Sequence, residues 1–138
     1  MQKDNFDFPF QYYFIPSIGK IFTPTIPIKL NTKKGLVEFQ FIVDTGADLT
    51  TLPFYMASQL GIDLTRAKKS QAEGIGGFKV KTWLTKVELI FPKETVKVRA
   101  SITNENSTPF LLGRVDLLDT FQSWHFDSKR KKIIFETI

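Results

Sequence analysis

The chain contains no cysteine and only one histidine, His125, among its 138 residues. The absence of cysteine excludes disulfides, thiolate metal ligands and a cysteine nucleophile. One histidine is too few for a histidine-rich zinc site. A Ser-His-Asp triad would have to use His125, and no Gly-x-Ser-x-Gly motif accompanies it. We therefore expect no metal and no other cofactor.

Long apolar runs are also missing. No stretch approaches the ~20 residues that a membrane-spanning helix needs. The first seven residues lack the basic and then apolar pattern of a signal peptide. These features lead us to expect a cytoplasmic protein that does not associate with membranes.

The composition is that of a folded domain, with 42% hydrophobic residues and 14 phenylalanines. The formal net charge is +5, and basic residues form two runs, Lys68–Lys69 and Lys129–Lys132. The aromatic residues do not interleave with these runs as stacking platforms for bases would. We therefore interpret the runs as solvated turns and expect no nucleic-acid partner, although a basic β-domain that binds nucleic acid remains the third hypothesis.

Alternating apolar residues predict many short strands and two short helices. Pro53 and Gly61 mark the ends of the first helix, and the second lies at residues 115–121. The sequence therefore predicts a mostly β domain, closed or sandwich-like. The predicted strands include Thr25–Leu30, Leu36–Val43, Lys79–Phe91, Thr95–Ile102, Phe110–Leu112, Trp124–Asp127 and Ile133–Phe135.

Residues 1–23 are rich in aromatic side chains and are predicted to form an N-terminal arm before the domain of residues 24–138. Phe6, Phe8 and Phe10 alternate, which indicates an extended segment packed on a sheet. A second interpretation is an arm exchanged between the subunits of a dimer.

The apolar strand that ends at Val43 leads directly into Asp44-Thr45-Gly46. A rigid strand followed by a sharp turn is a suitable place for a catalytic acid. Asp-Thr-Gly is the signature of aspartic proteases, but the tripeptide alone has low specificity. Two further segments raise that specificity: a glycine-rich hairpin, Gly74-Ile75-Gly76-Gly77-Phe78, and the apolar stretch Leu111-Leu112-Gly113-Arg114.

These three segments, in this order, resemble the retropepsin-like aspartic proteases over roughly residues 24–127. The resemblance implies a single-lobe acid-protease β-barrel with one or two short helices. It also implies an endopeptidase that hydrolyses peptide or protein substrates as a homodimer. Since the chain carries one Asp-Thr-Gly, the two carboxylates of the reaction would be Asp44 and Asp44 of a second subunit.

The resemblance also assigns roles to individual residues. Asp44, Thr45 and Gly46 would form the catalytic loop, with Thr45 bonding across the two-fold axis. Arg114 would support the loop by pairing with Asp48. The glycine hairpin would form a flap over the substrate. The substrate-binding residues would be Ala47, Asp48, Gly74, Ile75, Gly76 and Leu111.

Ala47 affects the expected pH dependence of the activity. Pepsin-like enzymes usually carry Ser or Thr at this place, where the hydroxyl stabilises the carboxylate. Alanine removes that donor and so disfavours the ionised form. We therefore expect an optimum at mildly acidic to near-neutral pH.

The chain departs from the retroviral pattern at both ends, with a longer N-terminal segment and a C-terminal hairpin at residues 124–135. Retroviral enzymes build their dimer from the chain termini. Since the termini of this chain differ, the resemblance does not define its dimer interface. A second hypothesis is a retropepsin-fold domain that binds or regulates without turnover. The intact Asp44-Thr45-Gly46 and the glycine hairpin favour the protease.

Overall fold

The computed structural model describes residues 5–73 and 76–137. Strands dominate, and two short α-helices and one 3-10 turn, Leu64–Arg66, accompany them. The helices are α1 (Met56–Leu60) and α2 (Leu117–Thr120). The strands are β1 (Asn5–Pro9), β2 (Gln11–Ile15), β3 (Gly19–Thr23), β4 (Thr25–Thr32), β5 (Gly35–Val43), β6 (Thr50–Leu52), β7 (Lys68–Glu73), β8 (Lys79–Ile90), β9 (Thr95–Thr103), β10 (Leu111–Leu112), β11 (Phe121–Asp127) and β12 (Lys132–Thr137).

Six strands close into a barrel in the order β4-β5-β10-β6-β9-β8. The ring closes where Lys29 of β4 pairs with Ile90 of β8. Two of the pairings are parallel, β10 with β5 and β6 with β9. The predicted fold class, a mostly β single-lobe barrel with one or two short helices, is confirmed.

The barrel interior is filled by the alternating residues of β4 and β9. Ile26, Ile28 and Leu30 of β4 are completely or almost completely buried, and Val98 and Ile102 of β9 meet them in the same core. Burial of each such side chain contributes about 1.5–3 kcal/mol. The period-2 pattern read from the sequence is therefore the pattern that points side chains into the barrel.

Both predicted helices are present, and each is shorter than the segment predicted to contain it. The helix α1 ends at Gly61, whose φ of +69° closes the last turn. Its Met56 is fully buried in the core. The helix α2 consists of one turn, and Asp116 is its N-cap residue.

The N-terminal segment divides into two parts. β1 pairs with β12 of the same chain, and β12 pairs on its other side with β11. Phe6 and Phe8 are buried, with Phe6 stacked on Phe91 at 5.9 Å. The expectation of an extended segment packed on a sheet is thus confirmed for residues 5–9. Residues 11–23 form a separate two-stranded hairpin from β2 and β3.

Within the part of the chain that the structure describes, no helix has the length and apolar character required to cross a bilayer.

Candidate active site

Asp44 lies at the end of β5, where backbone hydrogen bonds fix the strand from two sides. Val43 N donates to Pro24 O at 2.7 Å, and Asp44 N donates to Leu112 O at 3.1 Å. The Asp44 side chain is half-buried. The carboxylate therefore projects from a backbone that both neighbouring segments hold in place.

The turn after Asp44 is closed by bonds to that residue. Ala47 N donates to Asp44 O at 3.1 Å, and Gly46 N donates to the carboxylate Oδ1 at 3.0 Å. A Cβ at Gly46 would lie 3.3 Å from the same oxygen. The backbone of Gly46 thus approaches the carboxylate as an N–H donor, in a space with little room for a side chain.

The segment after β10 passes directly beside this loop. Gly113 N donates to the hydroxyl of the buried Thr50 at 3.2 Å, and Arg114 N donates to Ala47 O at 3.0 Å. A Cβ at Gly113 would overlap the backbone of Leu49 and come within 2.7 Å of Thr50 N. Glycine is therefore required here because two backbone segments touch.

The Arg114 side chain connects both ends of the turn. One guanidinium nitrogen donates to Thr45 O and another to the Asp48 carboxylate. Asp48 and Arg114 were predicted as partners, and the structure contains this ion pair. Both side chains are substantially exposed, so the pair adds little to global stability and acts mainly by shaping the loop.

The glycine-rich hairpin is formed by β7 and β8, which remain paired as far as Glu73 and Lys79. Every residue of β7 is exposed. Gly76 and Gly77 have φ values of +91° and +79°, which side chains rarely adopt. Two predicted flap residues, Gly74 and Ile75, lie outside the described residues, so their predicted roles stay predictions.

A cleft of about 540 Å³ lies between the loop of residues 46–49 and this hairpin. It begins at Gly46, two residues after Asp44, and includes the predicted Ala47 and Asp48. Leu111, predicted to line it, is half-buried in β10 and is not among the described lining residues. The rest of the lining is Leu49, Thr51, Lys68, Ser70, Gln71, Ala72, Glu73, Thr82, Leu84 and Ser101.

Several of these lining residues were missed by sequence reasoning. Thr82 and Leu84 alternate along β8, and Ser101 lies opposite Leu84 on β9. The alternation was available in the sequence as a signal. The sequence does not indicate which face of each strand points into the cleft, because that direction depends on how the barrel closes.

Asp63 and Asp127, two aspartates outside the cleft lining, have lowered pKa values for structural reasons. Hydrogen bonds from Thr65 lower the pKa of Asp63, which caps the 3-10 turn. The backbone N–H of Arg130 lowers the pKa of Asp127, which closes the turn between β11 and β12. The Asp63 carboxylate therefore caps the 3-10 turn, and the Asp127 carboxylate stabilises the turn between β11 and β12.

Comparison with known proteins identifies the family. Residues 28–119, about two thirds of the chain, match the family model described as "gag-polyprotein putative aspartyl protease". The chain belongs to the retropepsin-like aspartic proteases. Among solved structures, this retropepsin-like protein is similar to a retropepsin-like aspartic protease from Rickettsia conorii, with a TM-score of 0.59 and 24% identity. That alignment covers 85% of this chain and 98% of the Rickettsia chain, and it supports the fold alone.

A second similar structure is the EIAV protease complexed with the inhibitor HBY-793. It aligns with a TM-score of 0.51 and 27% identity, covering 70% of this chain and 86% of the viral chain. The comparison with curated proteins gives no match. The family and fold therefore rest on the family model and on these structures.

Proposed function

We propose that this retropepsin-like protein is a homodimeric aspartic endopeptidase. The observation that carries the proposal is the position of Asp44, on a loop held by backbone bonds and two residues before Gly46, where the lining of the cleft below the β7–β8 hairpin begins. Each chain supplies one such aspartate. Asp44 of a second subunit would complete the site across a two-fold axis.

The reaction needs two carboxylates that share one proton. Two carboxylates about 3 Å apart cannot both ionise, so one is protonated while the other is charged. The charged carboxylate removes a proton from a water whose oxygen attacks the peptide carbonyl carbon. The protonated carboxylate donates to the carbonyl oxygen, and the C–N bond then breaks as the nitrogen receives a proton.

The surrounding residues suit an extended peptide. The exposed Asp48, oriented by Arg114, would receive substrate backbone N–H groups at one wall of the cleft. The exposed Thr45 lies at the rim, where a symmetric contact with the second subunit would form. The β7–β8 hairpin would close over the bound peptide, exclude water and gate turnover.

The cleft lining suggests a preference for both apolar and small polar substrate side chains. Leu49 and Leu84 share the cleft with the hydroxyl groups of Thr51, Thr82 and Ser101. A pocket with both apolar and hydroxyl-bearing walls accommodates apolar or small polar substrate side chains. We therefore expect cleavage beside both kinds of residue.

Digestion of a peptide library with wild type and Asp44→Asn, between about pH 4 and 7, tests the proposal. Wild type should cut, with a rate maximum at mildly acidic to near-neutral pH. Asp44→Asn should lose activity by at least about a thousandfold, because asparagine cannot accept the proton of the attacking water. The substitution preserves side-chain size, so both proteins should give the same circular dichroism spectrum.

Two outcomes would contradict the proposal. Equal cutting by both proteins would assign the activity to other residues or to a contaminant. Absence of cutting by a folded, dimeric wild type would favour the second hypothesis, a silent domain that binds or regulates.

A further inference from the structure

The hairpin of residues 11–23, here named the aromatic hairpin, exposes large apolar side chains. Phe14 and Ile18 are each 70% exposed, and Tyr13 is 51% exposed. Its strands β2 and β3 pair only with each other among the described residues. The aromatic hairpin also lies outside residues 28–119, the range matched by the family model.

Ring contacts hold the base of the aromatic hairpin against the domain. The Phe22 ring lies 4.0 Å from that of Phe10 and 5.6 Å from that of Phe126 in β11. The Gln11 amide donates to Thr25 O at 3.2 Å and to the Gln40 side chain at 2.8 Å. The base is therefore fixed while the tip, with Phe14 and Ile18, projects into solvent.

The fixed base lies beside the catalytic loop. The aromatic hairpin ends at Thr23, and the next residue, Pro24, accepts a 2.7 Å hydrogen bond from Val43, the neighbour of Asp44. On the β11 side, Phe126 lines a small cavity of about 200 Å³ together with Thr45. Two independent connections thus place the base at the Asp44–Thr45 rim.

We propose that the aromatic hairpin packs on a second copy of this chain and forms part of the dimer interface. This inference rests on the proposed function, since the paired aspartates must approach to about 3 Å across the two-fold axis. Any element attached at the Asp44–Thr45 rim then lies next to the partner. Strands of five residues extend about 16 Å, which is far enough to reach across that axis.

The charge of the aromatic hairpin favours a copy of the same chain over other partners. Lys20 is its single charged residue, and its ammonium lies 4.2 Å from the centre of the Tyr12 ring. A chain with a net charge of +5 resists self-association through charged faces, and this face avoids that repulsion. Exposed aromatic side chains are also the typical anchors of protein interfaces.

Sedimentation equilibrium tests the inference in the Asp44→Asn background, where self-digestion and catalysis play no part. We expect Phe14→Ser with Ile18→Ser to raise the dimer dissociation constant at least tenfold. Leu36→Ser is the matched control, because Leu36 is 61% exposed and lies at the opposite end of β5 from Asp44. The control should leave the dissociation constant unchanged. An unchanged constant in the double variant, or a wild type that stays monomeric at every concentration, would overturn the inference.

Hydrogen exchange gives a second test, which uses the Asp44→Asn protein without the substitutions at Phe14 and Ile18. This test does not depend on how the double variant folds. Amides of residues 11–23 should gain protection as the concentration rises through the dissociation constant. Dimerisation without that gain would overturn the inference while leaving the protease proposal intact.

Binding of the monomer to phosphatidylcholine–phosphatidylserine vesicles, lost in the double variant, would overturn the inference and assign the aromatic hairpin to a membrane surface instead. A wild type that dimerises through the aromatic hairpin but does not cut would contradict only the proposed function.

Discussion

The two walls of the cleft differ in how they are held. The Asp44–Asp48 loop is fixed by backbone hydrogen bonds that join it and Val43 to Pro24, Leu112 and Arg114, and its neighbour Thr50 is fully buried. The β7–β8 hairpin opposite has an outer strand whose residues are all exposed and whose described connections run to β8 alone. One wall is therefore built to hold a carboxylate still, and the other can open with little loss of buried surface.

This difference fits a division of work within one site. In the proposed protease, a carboxylate that shares a proton with its symmetric counterpart must be placed to a few tenths of an ångström. A peptide, in contrast, can enter only if the opposite wall moves. We call the Asp44–Asp48 loop with the adjoining segment after β10 the fixed wall, and the β7–β8 hairpin the movable wall. Substitutions in the fixed wall should therefore affect folding or the position of the Asp44 carboxylate. Substitutions in the movable wall should affect turnover.

Gly113→Ala should have the largest effect on stability, because it adds a methyl group at the closest backbone contact of the fixed wall. The new Cβ would overlap the backbone of Leu49, so β6 and the segment after β10 would have to separate. We expect a loss of about 3 kcal/mol or more in the free energy of unfolding. Urea denaturation in the Asp44→Asn background measures it. A loss below about 1 kcal/mol would show that this wall is less tightly packed than the structure indicates.

The sequence predicted the fixed wall well because its signals are local. An apolar strand, an Asp-Thr-Gly turn and an apolar pair before Gly113 are all short patterns, and the structure joins them through β5 and β10. The barrel strands followed from alternation for the same reason. The pairing of Asp48 with Arg114, implied by the family resemblance, is also present.

Features that depend on distant segments were not predicted. Nothing local to residues 11–23 indicates a hairpin seated on Phe126, more than one hundred positions away. Thr82 of β8 and Ser101 of β9 line the cleft, although no local pattern in the sequence indicates that they do. These positions depend on strand direction and barrel closure, which alternation alone does not specify.

Arg114→Ala should have the next largest effect, on activity rather than on folding. It removes the bonds to Thr45 O and to Asp48, which connect the two ends of the catalytic loop. We expect kcat/KM to fall about tenfold to a hundredfold, with less than about 1 kcal/mol lost in stability because the pair is exposed.

Arg99→Ala is the matched control for Arg114. It breaks another arginine–aspartate pair, with the half-buried Asp116, on a different part of the surface. Its kcat/KM should stay within about twofold of wild type. Equal losses in the two variants would mean that arginine removal acts through general destabilisation, and the special role of Arg114 would be wrong.

Gly77→Ala tests the movable wall. No atom of the described residues lies within 4 Å of the added Cβ, so the cost comes from the φ of +79°, about 1–2 kcal/mol. Because β7 is exposed and the strain is local, the hairpin should change its resting conformation while the barrel stays folded. We expect kcat to fall several-fold and the melting temperature to change by a few degrees at most, as measured by steady-state kinetics and calorimetry. A melting temperature lowered as much as in Gly113→Ala would remove the distinction between the two walls.

Asp116→Asn should have the smallest effect, seen only in the pH dependence of stability. Hydrogen bonds from the Arg99 side chain and backbone N–H lower the pKa of Asp116 from its ordinary value of 3.8. A carboxylate with a lowered folded-state pKa stabilises the fold above its unfolded-state pKa. This contribution is lost as the pH falls towards the folded-state value.

Asn suits the φ of +66° at position 116, so Asp116→Asn removes the charge without new strain. Thermal melts should therefore separate wild type from the variant above about pH 4 and bring them together below it. A constant gap between wild type and Asp116→Asn would mean that the Arg99 contact does not depend on the charge of Asp116.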